Sequence, residues 1–247
     1  MEPIRVVIAG IQGKMGRETV RATMSAPDII VVGGIDRKRK DTAIQDTEFP
    51  FPIYTEPNLC FLETRPDVYV DFTDALGAQI NASAAIETGV RPIIGSTGLS
   101  SDFLKSLDQE LRSAQSGGLF APNFAIGALL MMKMANLIAP YLPDIEIIEY
   151  HHAEKKDAPS GTAKKTAEGI RKSLLEKSNV VKEIPIHSVR LPGYVAHQEI
   201  LFGGDGEHVT IRHDSMSRTS FMPGVLLGIR KVIHVVGLTE GLEHYLF

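Results

Sequence analysis

Glu149-Tyr150-His151-His152-Ala153-Glu154-Lys155-Lys156-Asp157-Ala158-Pro159-Ser160-Gly161-Thr162 is dense in titratable side chains. Two imidazoles and an ammonium within five positions can move protons and carry positive charge. Ser160 is a helix-capping residue, and the free N–H groups of a helix starting at Gly161 could hold an anion. A lone histidine is more often structural, and a Lys-Lys pair more often solvated. Only the combination suits an anionic substrate that must be protonated.

A second constellation lies at the amino terminus. Gly10-Ile11-Gln12-Gly13-Lys14-Met15-Gly16 spaces three glycines as G-x-x-G-x-x-G. Gly10 can turn the chain, Gly13 can admit a pyrophosphate, and Gly16 can let a helix pack on a sheet. Twenty residues beyond Gly16 stands Asp36, where a carboxylate can accept hydrogen bonds from an adenosine ribose. That favours NADH. Arg37 follows at once, with Lys38, Arg39 and Lys40, and a cation there can neutralise the extra phosphate of NADPH, so both dinucleotides stay open. Gly95-Ser96-Thr97-Gly98 and Ala121-Pro122-Asn123-Phe124 are small or polar segments that let a flat nicotinamide approach the backbone.

The elements that must position these residues follow from periodicity. Ile4 to Ala9 reads as a strand buried on both faces, Lys14 to Met24 as a helix, and Ile29 to Val32 as a second strand running out near Asp36. Val68 to Phe72, a helix from Ala75 to Thr88, and Pro92 to Gly95 repeat the unit. A helix from Ser100 or Ser101 to about Gln115 and a strand at Leu119 to Ala121 complete a doubly wound parallel sheet. After Asn123 the texture changes: a long apolar helix from Ile126 to Tyr141, a strand at Ile145 to Tyr150 and a polar helix from Gly161 to about Lys177. Three strands at Ile184 to Arg190, His197 to Phe202 and His208 to His213 carry antiparallel signals. The last helix, Met222 to Val236, is expected to return to the first domain. The expected division is 1–123 with 222–247 for the dinucleotide and 124–221 for substrate and oligomerisation, an α/β Rossmann-like domain plus an α+β domain.

Composition narrows the classes. The chain has 247 residues, 43% hydrophobic and 23% charged, which is ordinary for a folded protein. Lys and Arg number 26 against 30 Asp and Glu, a formal charge of −4, which argues against nucleic acid as a partner. A single cysteine, Cys60, builds neither a disulfide nor a thiolate metal site, so a reducing compartment, the cytoplasm, is expected. Ile126 to Leu142 is broken by Lys133 and Pro140 and is short for a membrane span, and Met1 to Arg5 runs into a short apolar stretch without the charged flank, longer apolar core and small-residue cleavage site of a signal peptide, so neither export nor anchoring is expected. His187, His197, His208 and His213 lack metal-ligand spacing, and no metal is expected. Met131, Met132 and Met134 read as core packing, and Arg230 either reaches the cofactor or covers the sheet.

H-H-x-x-K-x-D-A-P-S-G-T, the G-x-x-G-x-M-G loop, Asp71-Phe72-Thr73, G-S-T-G and A-P-N-F together resemble the 4-hydroxy-tetrahydrodipicolinate (dihydrodipicolinate) reductase family through nearly the whole chain. The resemblance implies a homotetramer that reduces 4-hydroxy-tetrahydrodipicolinate to tetrahydrodipicolinate with NADH or NADPH, in lysine and diaminopimelate biosynthesis. It makes His151 the acid/base and Lys155 the proton donor, with His152, Gly161 and Thr162 on the substrate's carboxylates. It also puts Gly10, Ile11, Gln12, Gly13, Lys14, Met15, Asp36, Arg37, Gly95, Ser96, Thr97, Ala121, Pro122, Asn123 and Phe124 on the cofactor. One departure is Ala153-Glu154 ahead of a doubled lysine, where spacing favours Lys155 over Lys156. Two other classes stay in view: another nicotinamide-dependent dehydrogenase of an amino or semialdehyde acid, and a non-catalytic dinucleotide-sensing regulator.

Overall fold

In the computed structural model, which describes residues 2–37 and 49–247, Ile4–Ala9 forms β1, and its Val6, Val7, Ile8 and Ala9 are wholly buried. Cover on both faces is the condition of a central parallel strand. Helix α1 (Lys14–Met24) leads to β2 (Ile29–Ile35), then β3 (Ile53–Tyr54), α2 (Pro57–Thr64) and β4 (Val68–Asp71). Next come α3 (Ala75–Thr88), β5 (Arg91–Ile94), α4 (Ser101–Ser113) and β6 (Gly117–Phe120). The helix starts are written locally. The Asp74 carboxylate accepts the Gly77 N–H at the head of α3, and Ser100 Oγ accepts the Phe103 N–H at the head of α4. The basic run Lys38, Arg39 and Lys40 lies outside the described residues.

The second part of the chain holds α5 (Ile126–Ile138), β7 (Asp144–His151), α6 (Gly161–Ser178), β8 (Ile186–Arg190), β9 (Ala196–Gly204) and β10 (Glu207–Ser215). The chain then ends with a short turn of helix, α7 (Met222–Val232), β11 (Gly237–Glu240) and a last turn. Two compact units result: the chain up to Phe124 together with Phe221–Phe247, and Ala125–Ser220.

The first unit is a seven-stranded parallel sheet in the order β11-β6-β5-β4-β1-β2-β3. From β1 the chain winds outward through β2 and β3, then crosses back to β4 and winds the other way. The reversal therefore falls at β1 and β4, whose carboxyl ends carry Gly10 and Phe72-Thr73, the place where such sheets take ligands. Strands β3 and β11 and helix α2 extend the sequence expectation, and α7 stops at Val232 rather than Val236, the chain passing through a tighter turn in which the His234 N–H bonds the Lys231 carbonyl before β11 opens at Gly237.

The second unit is a four-stranded sheet in the order β10-β9-β7-β8. Ile145, Ile147, Ile200 and Phe202 pack with Met131, Ala135, Ile170 and Leu174 of α5 and α6 into one core. The antiparallel expectation holds for β9 against β7 and β10, but β8 runs parallel to β7. The reason is that α6 joins them: a helical crossover returns the chain in the same direction. Helix α5 ends at Ile138, short of Tyr141, since Pro140 has no N–H to give the Asn136 carbonyl, which takes the Ser173 hydroxyl at 2.6 Å instead. Met131 is core as expected, whereas Met134 is half exposed.

Candidate active site

The glycine loop is built as its spacing requires. Gly10 sits at φ 72°, and a Cβ there would lie 2.8 Å from the Phe72 carbonyl oxygen. A Cβ on Gly16 would lie 2.3 Å from the Gly10 carbonyl, so α1 can approach the sheet only without one. Gly13 precedes α1 in extended conformation, and no side chain caps the helix. Its first turn, with Lys14 exposed and Met15 partly so, is left to offer N–H groups to an anion. Gln12 donates its N–H to Asp36 Oδ2 at 3.2 Å, which ties the loop to the end of β2. Ile11 is different: its side chain is wholly buried against Gly34, so it faces the core rather than a ligand.

A cavity of about 500 Å³ opens over this edge, lined by Gly10, Gln12, Gly13, Asp36, Arg37 and the Phe72-Thr73-Asp74 turn. The Arg37 guanidinium donates to both Asp74 oxygens at 3.0 Å. Glycines that admit a pyrophosphate, an uncapped helix start and a carboxylate at ribose position fit a nicotinamide dinucleotide.

Sequence reasoning quoted Asp71 but missed its role. Its carboxylate is fully buried and accepts from the Thr73 N–H (2.8 Å), Thr73 Oγ1 (2.6 Å), Asn81 Nδ2 (2.8 Å) and Ser96 Oγ (2.9 Å). These bonds fasten β4, α3 and the loop after β5 to each other. Gly95 is required by the same packing, since its Cβ would lie 2.4 Å from the Phe72 ring and 3.0 Å from that of Phe124. Phe72 and Phe124 meet edge to face with centroids 5.8 Å apart. Ser96 and Ala121 are buried, Thr97 and Pro122 exposed, and Asn123 partly exposed.

In the second unit His151 ends β7 and Arg190 ends β8, and the two are register partners. Glu149, one pleat before His151 and fully buried, hydrogen-bonds His151 Nδ1. Arg190 grips Glu149 with two bonds, Nη1 to Oε2 at 2.9 Å and Nη2 to Oε1 at 2.7 Å. Burial pushes the Glu149 pKa up, but Arg190, Ser188 and His151 outweigh it and hold the carboxyl below its ordinary value. For His151 burial dominates: desolvation, aided by Lys155 and Arg190, lowers the pKa despite Glu149. The neutral form of the ring is therefore favoured.

Lys155 Nζ donates to both oxygens of Asp157, at 2.7 and 2.9 Å, and is three-quarters buried. Lys156 is exposed, as is His152, whose carbonyl accepts the Lys155 N–H at 3.1 Å. Ser160 caps α6 by accepting the Ala163 N–H at 3.2 Å, so exposed Gly161 and partly exposed Thr162 stand in the helix's first turn. No side chain would crowd an anion at Gly161, where even a Cβ would meet nothing within 4 Å. The structure thus gathers His151, Lys155, Glu149, Asp157 and Arg190 in one network. Glu149 had a legible signal, a charge in the inward row of Ile145 and Ile147, whereas Arg190 had none because only strand pairing brings it there.

Other polar groups fall elsewhere. Arg230 bonds Asp28 at 2.7 and 2.9 Å, and Cys60 is buried, its thiol pushed up to about 12 by desolvation. Among the described residues no three His, Cys, Asp or Glu side chains gather as a metal would need, and no helix is long and apolar enough to cross a membrane.

The two halves of the chain match two family models in order, "Dihydrodipicolinate reductase, N-terminus" over residues 4–124 and "Dihydrodipicolinate reductase, C-terminus" over residues 127–245. The 4-hydroxy-tetrahydrodipicolinate reductase of Geobacillus thermodenitrificans strain NG80-2 is 44% identical, covering 98% of this chain and 99% of its own. That of Bacillus subtilis strain 168 is 43% identical, with 98% of each chain covered. The solved dipicolinate-bound dihydrodipicolinate reductase from Paenisporosarcina sp. TG-14 superposes with a TM-score of 0.85 at 40% identity, over 98% of this chain and 99% of that one. A myo-inositol dehydrogenase from Corynebacterium glutamicum ATCC 13032, 12% identical with a TM-score of 0.67 over 98% of this chain and 92% of its own, shares the fold alone. Likeness that runs unbroken from the glycine loop through the His151–Lys155 segment to the last helix leaves one conclusion: the chain belongs to the dihydrodipicolinate reductase family.

Proposed function

We infer that the chain is an oxidoreductase that reduces 4-hydroxy-tetrahydrodipicolinate to tetrahydrodipicolinate with NADH or NADPH, in lysine and diaminopimelate biosynthesis. The observation that carries this is the histidine–lysine network of β7 and β8 at the amino end of α6, in a chain whose other unit has a dinucleotide cradle. In this reading the first unit holds the dinucleotide through Gly10 to Met15, with Ile11 contributing backbone only, and through Asp36, Arg37, Gly95 to Thr97 and Ala121 to Phe124. The second holds the substrate, and the dicarboxylate named with the Paenisporosarcina neighbour supports a doubly charged ligand. His152 and the N–H groups at Gly161 and Thr162 take its carboxylates.

A bound reduced nicotinamide supplies the hydride. The residues of the chain handle the protons. His151, neutral, accepts a proton from a ring carbon as the substrate's hydroxyl leaves, and Lys155 gives that hydroxyl the proton that makes it water. The product of this step is a conjugated imine. After hydride reaches it, the proton on His151 returns to the ring carbon. In sum one hydride and one proton enter, and one hydroxyl leaves as water. Cations and N–H groups offset the dicarboxylate charge throughout.

The test follows nicotinamide absorbance with the cyclic hydroxy-imine under each dinucleotide. Turnover is expected, falling on the order of a hundredfold in His151→Ala and in Lys155→Ala. Dinucleotide binding without turnover would instead mark a sensing regulator, and near-full turnover of both variants would remove the assigned roles. We also assign a homotetramer in the cytoplasm, for which light scattering of the purified chain should give four times 27.0 kDa.

A further inference from the structure

Glu149 stands where the pattern of β7 calls for an apolar side chain. Its neighbours in the inward row are Ile145 and Ile147, and it is wholly excluded from water. A carboxylate in that place is costly unless each oxygen is satisfied. Here each one is, and only by donors: Oε1 takes the Ser160 N–H at 3.2 Å and Arg190 Nη2 at 2.7 Å, and Oε2 takes Arg190 Nη1 at 2.9 Å and His151 Nδ1. An ionised carboxylate can only accept, so the ring nitrogen that meets it must carry the proton. In a neutral imidazole the lone pair is then left on Nε2.

Arg190 has a second hold. Its Nη2 also donates to the Asp157 carbonyl at 2.7 Å, and Asp157 is the residue whose carboxylate fixes Lys155. One guanidinium therefore braces both the strand end that bears His151 and the turn that bears Lys155. The charged groups around His151 are Glu149 on its own strand, Arg190 on β8, and Lys155 with Asp157 on the following turn.

We propose that Glu149, clamped by Arg190, is a positioning residue that holds His151 in the tautomer protonated at Nδ1, leaving Nε2 as the proton acceptor, while Arg190 sets Lys155 through Asp157. The role of the tautomer in turnover rests on the reductase reading; the tautomer itself does not. A ring in the opposite tautomer, with Nε2 protonated, could not take the substrate proton, so an intact fold would lose its rate.

Long-range 1H–15N NMR of the wild-type chain at neutral pH tests this first. Protonated Nδ1 and bare Nε2 on His151 are expected, and a proton on Nε2 overturns the proposal. In Glu149→Gln the carboxamide can donate as well as accept, so the spectrum should show a mixed or reversed tautomer. Its kcat should fall about a hundredfold with the dissociation constant for NADH unchanged by fluorescence titration. Arg190→Lys should restore much of the rate lost in Arg190→Met. A folded Glu149→Gln with the wild-type tautomer and kcat overturns the proposal. Should Glu149→Gln fail to fold, the wild-type spectrum and the Arg190 pair decide, and a wild type without turnover leaves the spectra as evidence while removing the reductase reading.

Discussion

Lys155 and Lys156 are adjacent in sequence and opposite in circumstance. The first is mostly buried and bound by Asp157, while the second is exposed. Lys156→Ala should keep kcat within about twofold, the range of a solvated substitution, where Lys155→Ala loses about a hundredfold; steady-state rates of the two variants check the choice. His151 carries a pH consequence. Because burial holds its pKa below the ordinary imidazole value, the acceptor form survives into mildly acid solution. The acid limb of kcat/KM should then lie below about pH 6.5, and a limb above that value would contradict the assignment. At this scale the sequence was most informative. Histidine, lysine and glycine types at fixed spacing announced both constellations, since a motif within a dozen residues needs only local backbone to assemble. Ile11 shows the limit: its place in the loop suggested a ligand contact, and only packing against Gly34 reveals that its side chain serves the core.

Elements turn these residues into a site. Asp71 joins β4 to α3 and to the loop after β5, so Asp71→Ala leaves buried donors on Asn81 and Ser96 without their acceptor. A loss of about 3 kcal/mol is expected, measured by denaturant unfolding, together with weaker dinucleotide binding. Asp74 does two things at once, capping α3 and holding Arg37, and its pKa is lowered by the Gly77 N–H and by Arg37. Asp74→Asn keeps a capping residue and releases the guanidinium. The KM for NADPH should therefore fall severalfold relative to that for NADH; an unchanged ratio would show that Arg37 does not read the ribose phosphate. The long helices and central strands were legible because their apolar period runs over many residues. The short strands β3 and β11 were not, because two to four residues carry no period and form only against a sheet edge already in place. The direction of β8 was missed for a related reason: strand composition does not encode which neighbour a strand pairs with, and α6 decided it.

Across the molecule, Arg–carboxylate pairs either tie distant segments or brace a single element. Arg230 of α7 holds Asp28 ahead of β2, Arg112 holds Asp108, whose other oxygen accepts the Leu238 N–H of β11, and Arg212 holds Asp214. Side-chain hydrogen bonds from Arg230, Arg112 and Arg212 hold Asp28, Asp108 and Asp214, respectively, below the ordinary carboxylate value. Glu149 is held low as well. A depressed pKa in the folded state adds stability that is complete above the unfolded value and is lost as pH falls through the folded one. The melting temperature should hold from pH 7 to about 5 and decline below about 4; a midpoint that stayed level down to pH 3 would refute this. Arg230→Met should cost about 0.5 kcal/mol, since the Asp28 pair is open to solvent and screened. The chain's order of residues by itself made legible the glycine loop, the change of texture after Asn123 and the histidine–lysine segment, because each is written in neighbours along the backbone. Tertiary structure alone decided that Arg190, forty-one residues from Glu149, completes that segment and that a buried carboxylate at Asp71 binds three elements. Such partners meet only when strands pair, and pairing is a property of the folded sheet, not of any stretch of sequence.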